Sequence, residues 1–552
     1  MKCKRIGVLD LVTHKTDDAW FEAHVMLPNF SAIMPQAVAA WAQELGCEVF
    51  YETFTGVEDL SRCLPDDLDV LFISAFSRAS FLAYAISSRY RERGTITVLG
   101  GPHARSFAAH SAPYFDYVCQ LTDREAIRGL LQGAERQPRA VLVNSAEHPE
   151  AIPTVEQRAR FIDQNVAKNR ARRFVRTVPM LGSLGCPYAC GFCVDAIVPY
   201  KTLPHAQLVQ DLRFIERRYG KDTLVFWHDP NFGVRFDEYM AIIEESKTSI
   251  LHGGESSLSL LGEAHLKAMQ KNRWVAQVPG IESWIGFNEK GGSGRTSGME
   301  KVRRVADHVN RIMSYLPYVQ TNFVTGLDQD EGDEPFALTK AFLDLAPGAF
   351  PAFSILTDFR NAPLSDQLAG DGRTLSVPHP FLDNTSALNV RIKNYGLLDF
   401  YDRQIDLQAY SWSARAVYRR MRANRHGYVK AANVGRAVTE GGWRWGVFKK
   451  TRSLIANDPS FQRHYDGAQA EAPQHFFDEL RRMMGRWAAW LPAELSTPSG
   501  FLESERRAAA NPLRPARVDE SAPLTAAHRL LEKAKGHVPE TAKSTESASR
   551  DM

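Results

Sequence analysis

Leu184-Gly-Cys-Pro-Tyr-Ala-Cys-Gly-Phe-Cys193 sets Cys186, Cys190 and Cys193 at Cx3Cx2C spacing. Three thiolates so close together can hold three irons of a 4Fe-4S cluster, which normally takes four. No fourth cysteine lies nearby, so one iron either borrows a distant ligand or stays open to coordinate something else. Two other readings use the same residues. Structural zinc accepts Cys3His sets, although its ligands usually arrive as CxxC knuckles in two separated halves. A disulfide framework is the other, yet seven cysteines in 552 residues with no secretory signal are sparse for one. Cys3, Cys47, Cys63 and Cys119 read as scattered thiols.

Outward from the cysteines, an alternation of strand and helix runs over residues 177–370. Strands are expected at Met180–Leu184, Leu224–Trp227, Ser249–Leu251, Val275–Val278, Val319–Thr325 and Ala352–Leu356. Helical spacing fills most of the gaps, at His205–Tyr219, Phe236–Ser246, Glu263–Lys271, Met299–Leu316 and Pro335–Leu345. This α/β pattern predicts a partial (β/α)6 barrel, whose reactive groups belong at the carboxyl ends of its strands. The cysteines follow the first of those strands.

Residues 1–140 alternate in the same way, with strands at Ile6–Leu11, Val49–Tyr51, Val70–Ser74 and Ile96–Gly100, and helices at Ile33–Leu45 and Phe81–Tyr90. They predict a doubly wound, Rossmann-like parallel sheet that binds ligands beyond its strand ends. Those ends are Asp10 to His14, Ser74 to Ser80 and Gly100-Gly-Pro-His103. Residues 141–176 read as a polar connector with some helix, and 371–500 as a mainly helical region rich in aromatics and arginine. Those aromatics either anchor helices to the barrel or form a lid over a substrate. Residues 501–552 read as a disordered tail, with a short helix around Ala526–Ala534.

A hydrophobic share of 44% with 24% charged residues is that of a globular protein. The formal net charge of +3 gives no case for nucleic acid as a partner. No apolar run reaches the ~18 residues a spanning helix needs, and the short apolar amino terminus reads as a buried strand, so a cytoplasmic location is expected.

Cys186-Pro-Tyr-Ala-Cys190-Gly-Phe-Cys193 resembles the Cx3C-x-aromatic-C signature of radical S-adenosylmethionine (SAM) enzymes. Further matches follow in order: Val225-Phe-Trp-His-Asp-Pro-Asn-Phe232, Val278-Pro-Gly-Ile-Glu-Ser283 and Asn322-Phe-Val-Thr-Gly326. The resemblance implies that SAM chelates the open iron and that one electron, from a donor such as flavodoxin or ferredoxin, cleaves it to a 5'-deoxyadenosyl radical. It implies SAM contacts from Phe192, Gly280, Glu282, Ser283 and Gly326, with Asp229 and Asn231 at the second strand end. Gly253-Gly-Glu255 looks like the family's SAM-binding Gly-Gly-Glu but follows the third expected strand rather than the second, so it is set aside.

Gly100-Gly-Pro-His103, with Ser74-Ala-Phe-Ser77 at an earlier strand end, resembles the cobalamin-binding domain that precedes the barrel in one subfamily, the class B methyltransferases. This implies cobalamin contacts from Ser74, Ser77, Gly100, Gly101 and Pro102. The Asp-x-His-x-x-Gly motif that ligates cobalt is absent, as is the acidic Gly-Glu turn after the fifth strand, where Gln120-Leu-Thr-Asp-Arg-Glu125 stands. The function implied is cobalamin-dependent methylation of an unactivated carbon, or less often phosphorus, of a small molecule. A radical cyclisation, rearrangement or oxidation without methyl transfer is the alternative, and a non-catalytic iron-sulfur or corrinoid sensor is a third reading.

Overall fold

Six short apolar runs pair into one parallel sheet: β1 (Arg5–Leu11), β2 (Glu48–Thr53), β3 (Val70–Ala75), β4 (Ile96–Gly100), β5 (Tyr117–Cys119) and β6 (Val141–Val143). The computed structural model describes residues 4–14, 31–145, 147–168, 176–286, 296–383 and 387–513. In the sheet the order is β2-β1-β3-β4-β5-β6. Direction reverses between β1 and β3, and the loops leaving those strands diverge there, opening a crevice beyond their carboxyl ends. Both faces are covered, as an all-parallel sheet requires. Ala37 and Trp41 of helix Ile33–Glu44 pack on one face with Phe161 of helix Val155–Lys168. Phe81 and Ile86 of helix Ser80–Glu92 pack on the other.

The second sheet is built from β7 (Arg176–Met180), β10 (Thr223–Trp227), β11 (Leu251–Ser257), β12 (Trp274–Glu282), β13 (Tyr318–Thr325) and β14 (Phe350–Ile355), all parallel and adjacent in chain order, an open half-barrel. Between β7 and β10, β8 (Ser183–Leu184) and β9 (Lys201–Thr202) form a small antiparallel pair. In β13, Val319, Thr321, Phe323 and Thr325 are buried while Tyr318, Gln320, Asn322 and Val324 are half-buried. This period of two puts one face under the helices and leaves the other as the inner wall. The inner wall is closed near β14 by the helical region: Trp412 and Val429 pack on Phe350, and Arg436 donates to Tyr318 Oη at 2.8 Å and Gln320 Oε1 at 2.7 Å.

Four expectations are corrected. The first barrel strand is Arg176–Met180, and the expected Met180–Leu184 breaks at Leu181-Gly182. The third is Leu251–Ser257, so Gly253-Gly-Glu255 lies inside it. The stretch 141–176 supplies the sixth strand of the first sheet and a helix packed on it, beyond the expected connector. Residues 501–510 belong to helix Pro498–Ala510, whose Phe501 is buried beside Phe81, because tertiary contact overrides an Ala-rich, charged composition. The helix expected at Ala526–Ala534 lies outside the described residues. No described helix is long and apolar enough to cross a membrane.

Candidate functional site

The crevice between β1 and β3 opens into a cavity of about 730 Å³ that lies between the two sheets, a size in the range of cofactor pockets. Ser74, Ser77, Gly100, Gly101 and Pro102 all line it. Gly101 takes φ +85°, and a Cβ there would meet Ser74 Oγ at 2.7 Å and the Ala75 amide nitrogen at 2.9 Å, so only glycine lets these strand ends close on each other. The opposite wall comes from the cysteine loop and its supports: Ser183, Leu184, Gly185, Val194, Asp195 and Val198. One cavity thus touches both elements singled out in the sequence.

The loop is fastened at several points. Asp229, at the end of β10 and wholly buried, accepts from the Gly182 amide at 3.0 Å, Ser183 Oγ at 2.6 Å and Tyr239 Oη at 2.7 Å. Burial raises its carboxyl above the usual range, against the pull of these donors. The β8–β9 pair closes the loop's base, where Gly185 takes φ +71° directly before Cys186. The Leu364 amide donates to Gly191 O at 2.8 Å, tying the cysteines to the segment after β14. Arg105, one helical turn past Gly101, reaches Asp195 at 3.3 Å and ties the first sheet's strand-end helix to the cysteine loop.

Cys186, Cys190 and Cys193 are half-buried, and the Cys193 amide donates to Cys190 O at 3.0 Å in a tight turn. Among the described residues no three His, Cys, Asp or Glu side chains meet closely enough to share one metal ion. A cubane asks for something different, since each thiolate takes its own iron; three half-buried thiols on one fastened loop suit that donor set.

The expected SAM residues lie around the half-barrel rather than on the cavity wall. Phe192 packs against the barrel core. Asp229 is spent on the cysteine loop, as above, and Asn231 on β11, donating to Ser257 Oγ at 2.8 Å and accepting from the Ser257 amide at 3.1 Å. Both side chains thus hold neighbouring backbone in place at the end of β10. Gly280 and Glu282 flank a register shift between β12 and β13, and Glu282 takes φ +65°. A non-glycine residue held there stores strain of about 1–3 kcal/mol, typical of a functional strand end. Ser283 Oγ donates to Asp330 at 3.2 Å, and Asp330 also accepts from the Gly326 and Leu327 amides at 3.0 and 3.1 Å. The side of Gly326 that a Cβ would face is filled by Ile392 and Phe400, so its close approach is to protein.

The sequence reading passed over Phe76, Arg78, Arg105 and His228, which also line the cavity. Arg105 was findable, one helical turn past Gly101. It also passed over the state of Asp10, buried at the end of β1, which accepts from the Ala32 amide at 2.6 Å and Tyr51 Oη at 3.4 Å. Burial pushes the Asp10 carboxyl up from 3.8 to about 7. Below pH ~4 it is protonated in both states; from there to about 7 the unfolded chain ionises first, so stability falls as pH rises; above about 7 the loss is constant, at most roughly 4 kcal/mol. Asp10→Asn should therefore raise Tm relative to the parent at pH 8 and leave it nearly unchanged at pH 4. Equal shifts at both pH values would refute the buried, proton-holding carboxyl.

No family model matches the chain. A bacteriochlorophyllide d C-12(1)-methyltransferase of Chlorobaculum tepidum is 21% identical over 343 residues, 59% of this chain and 71% of that protein. Among solved structures, the radical SAM methyltransferase TsrM of Kitasatospora setae with cobalamin and a [4Fe-4S] cluster bound superposes with a TM-score of 0.53 at 13% identity, covering 82% of this chain and all of that one. The same enzyme with tryptophan and a SAM analogue gives 0.54 at 12% identity over 82% of this chain and 99% of that one. OxsB, a cobalamin-dependent SAM radical enzyme with aqua-cobalamin and SAM bound, gives 0.51 at 12% identity over 97% of this chain and 84% of that one. A doubly wound sheet facing a parallel half-barrel across one cavity, with helices after it, is thus a fold that the chain shares with TsrM and OxsB.

Proposed function

We propose that the chain is a cobalamin-dependent radical SAM methyltransferase acting on a small molecule, at an unactivated carbon or less often phosphorus. The observation that carries this is the shared cavity, which has the predicted corrinoid loops on one wall and the stem of the cysteine loop on the other. When bound, the cluster and SAM supply a radical and cobalamin supplies a methyl carrier. Cys186, Cys190 and Cys193 would hold the cluster, and an electron donor of the flavodoxin or ferredoxin kind would reduce it. Ser74, Ser77 and the Gly100-Gly-Pro102 turn would hold the corrinoid edge. Asp229 keeps the loop's stem seated, and Gly185 lets it turn. Phe192, Gly280, Glu282 and Ser283 would shape the SAM site, much of it through backbone at the strained end of β12. The protein contributes mainly position, holding its ligands between the two sheets.

Anaerobic reconstitution with iron, sulfide and hydroxocobalamin, followed by product analysis with SAM and a reductant, tests the reading. Both S-adenosylhomocysteine and 5'-deoxyadenosine are expected. Deoxyadenosine alone would replace methyl transfer by another radical reaction, and no SAM cleavage would reject an enzyme of this class.

A further inference from the structure

A chain of buried hydrogen bonds runs from the cavity wall to the C-terminal helix Pro498–Ala510. Ser77 Oγ lies 3.2 Å from His103 Nδ1, and His103 Nε2 lies 2.8 Å from Tyr84 Oη. Tyr84 Oη is 3.2 Å from His110 Nδ1 and 2.9 Å from Ser111 Oγ, and His110 Nε2 is 2.9 Å from Ser504 Oγ. All six side chains are buried. His379 and Phe107 cover the relay, with ring centroids 4.4 Å between His379 and His110 and 4.0 Å between His379 and Phe107. Burial holds the His110 imidazole down to about 3 and His103 well below its ordinary value, so both rings are neutral and each carries one N–H.

The direction of every bond then follows from its far end. Ser504 Oγ lies 2.6 Å from Phe501 O, an atom that can only accept and the nearer of its two partners, so we assign its proton there and leave it to accept from His110. His110 therefore carries its proton on Nε2 and presents a bare Nδ1. Ser111 Oγ lies 2.9 Å from both Phe107 O and Tyr84 Oη. The bare His110 Nδ1 on that side can only accept, so we assign the phenol proton to it. The Tyr84 oxygen must then accept from His103 Nε2–H. That leaves His103 Nδ1 bare, and it accepts the Ser77 proton.

We propose that this relay makes Ser77 a fixed hydrogen-bond acceptor towards the cavity, so that it favours a ligand that presents a donor there, such as the N–H of a primary carboxamide, over a carboxylate. Identifying that carboxamide with one on the corrin edge rests on the corrinoid reading above. Ser504 and Tyr84 are positioning residues, acting on the ligand through His103 and Ser77.

Two measurements on the full chain test it. Nitrogen-15 histidine NMR without cofactor, assigned by the signals lost in His103→Phe and His110→Phe, should show both rings protonated at Nε2; a His103 proton at Nδ1 overturns the relay. Spectroscopic titration of the reconstituted protein with hydroxocobalamin should weaken about tenfold in Ser77→Ala and about fivefold in Tyr84→Phe, with Ser77→Thr restoring parental affinity. A Ser77→Ala titration that matches the parent overturns the acceptor role. Failure of the parent to bind cobalamin rejects the corrinoid reading and leaves the relay to be decided by the tautomers.

Discussion

Cys190→Ala is expected to bring SAM cleavage to background while cobalamin titration stays within about twofold of the parent. Three loop thiolates are already one short of the usual four, and removing the middle one leaves two. The backbone of the turn should survive, because the Cys193-to-Cys190 hydrogen bond at 3.0 Å uses main-chain atoms only. Cys190 is not on the cavity wall, so corrinoid affinity reports separately on whether the wall is intact. Iron content, the cluster's visible absorption and deoxyadenosine yield measure the first effect. Surviving SAM cleavage would overturn the whole functional reading; loss of both functions would show that the loop had collapsed.

Gly185→Ala should be nearly as damaging with every ligand left in place. At φ +71° an alanine is already strained by about 1–2 kcal/mol. Its Cβ would also sit 2.2 Å from Pro199 O and 2.5 Å from Val198 O. Those are main-chain atoms that cannot rotate away, so the β8–β9 pair must open. Total destabilisation of about 3 kcal/mol or more is expected, concentrated in the loop, with iron incorporation falling several-fold. A variant that takes up a full cluster at parental Tm would show that the stem is not what seats the cysteines. Gly262→Ala is the control, since nothing lies within 4 Å of a Cβ at that position and its φ of −73° suits any residue.

Much of this architecture could be read from residues alone, and the misreadings have physical causes. Helices such as His205–Tyr219 and Glu263–Lys271 came through intact because an amphipathic period over several turns is a strong signal. β11 was truncated because Gly253 and Gly254 are poor strand residues in isolation. In the sheet a Cβ on Gly253 would come within 3.1 Å of the Ala276 Cβ and 3.2 Å of Phe226, so close packing of neighbouring strands calls for the glycine. The start of β7 was hidden by Arg176 and Pro179, and proline is tolerated there because β7 is an edge strand. Asp229 shows a third kind of limit. An acid at a strand end reads as a ligand contact, and only the fold brings Gly182 and Ser183, more than forty residues earlier, onto its oxygens. Helix Pro498–Ala510 was legible from neither composition nor period, because its stability comes from Phe81, His110 and His379.

That last helix also sets a timetable. Trp487, Leu495 and Phe501 cover the same face of the first sheet as Phe81 and Tyr84, yet some four hundred residues separate them along the chain. At ribosomal speeds of ~5–20 residues per second, the Phe81 surface emerges roughly 20–80 s before its cover. During that interval the nascent first domain carries an apolar flank that attracts chaperones or aggregates. Production of this protein should thus depend more on elongation rate, temperature and chaperone supply than its final packing would suggest.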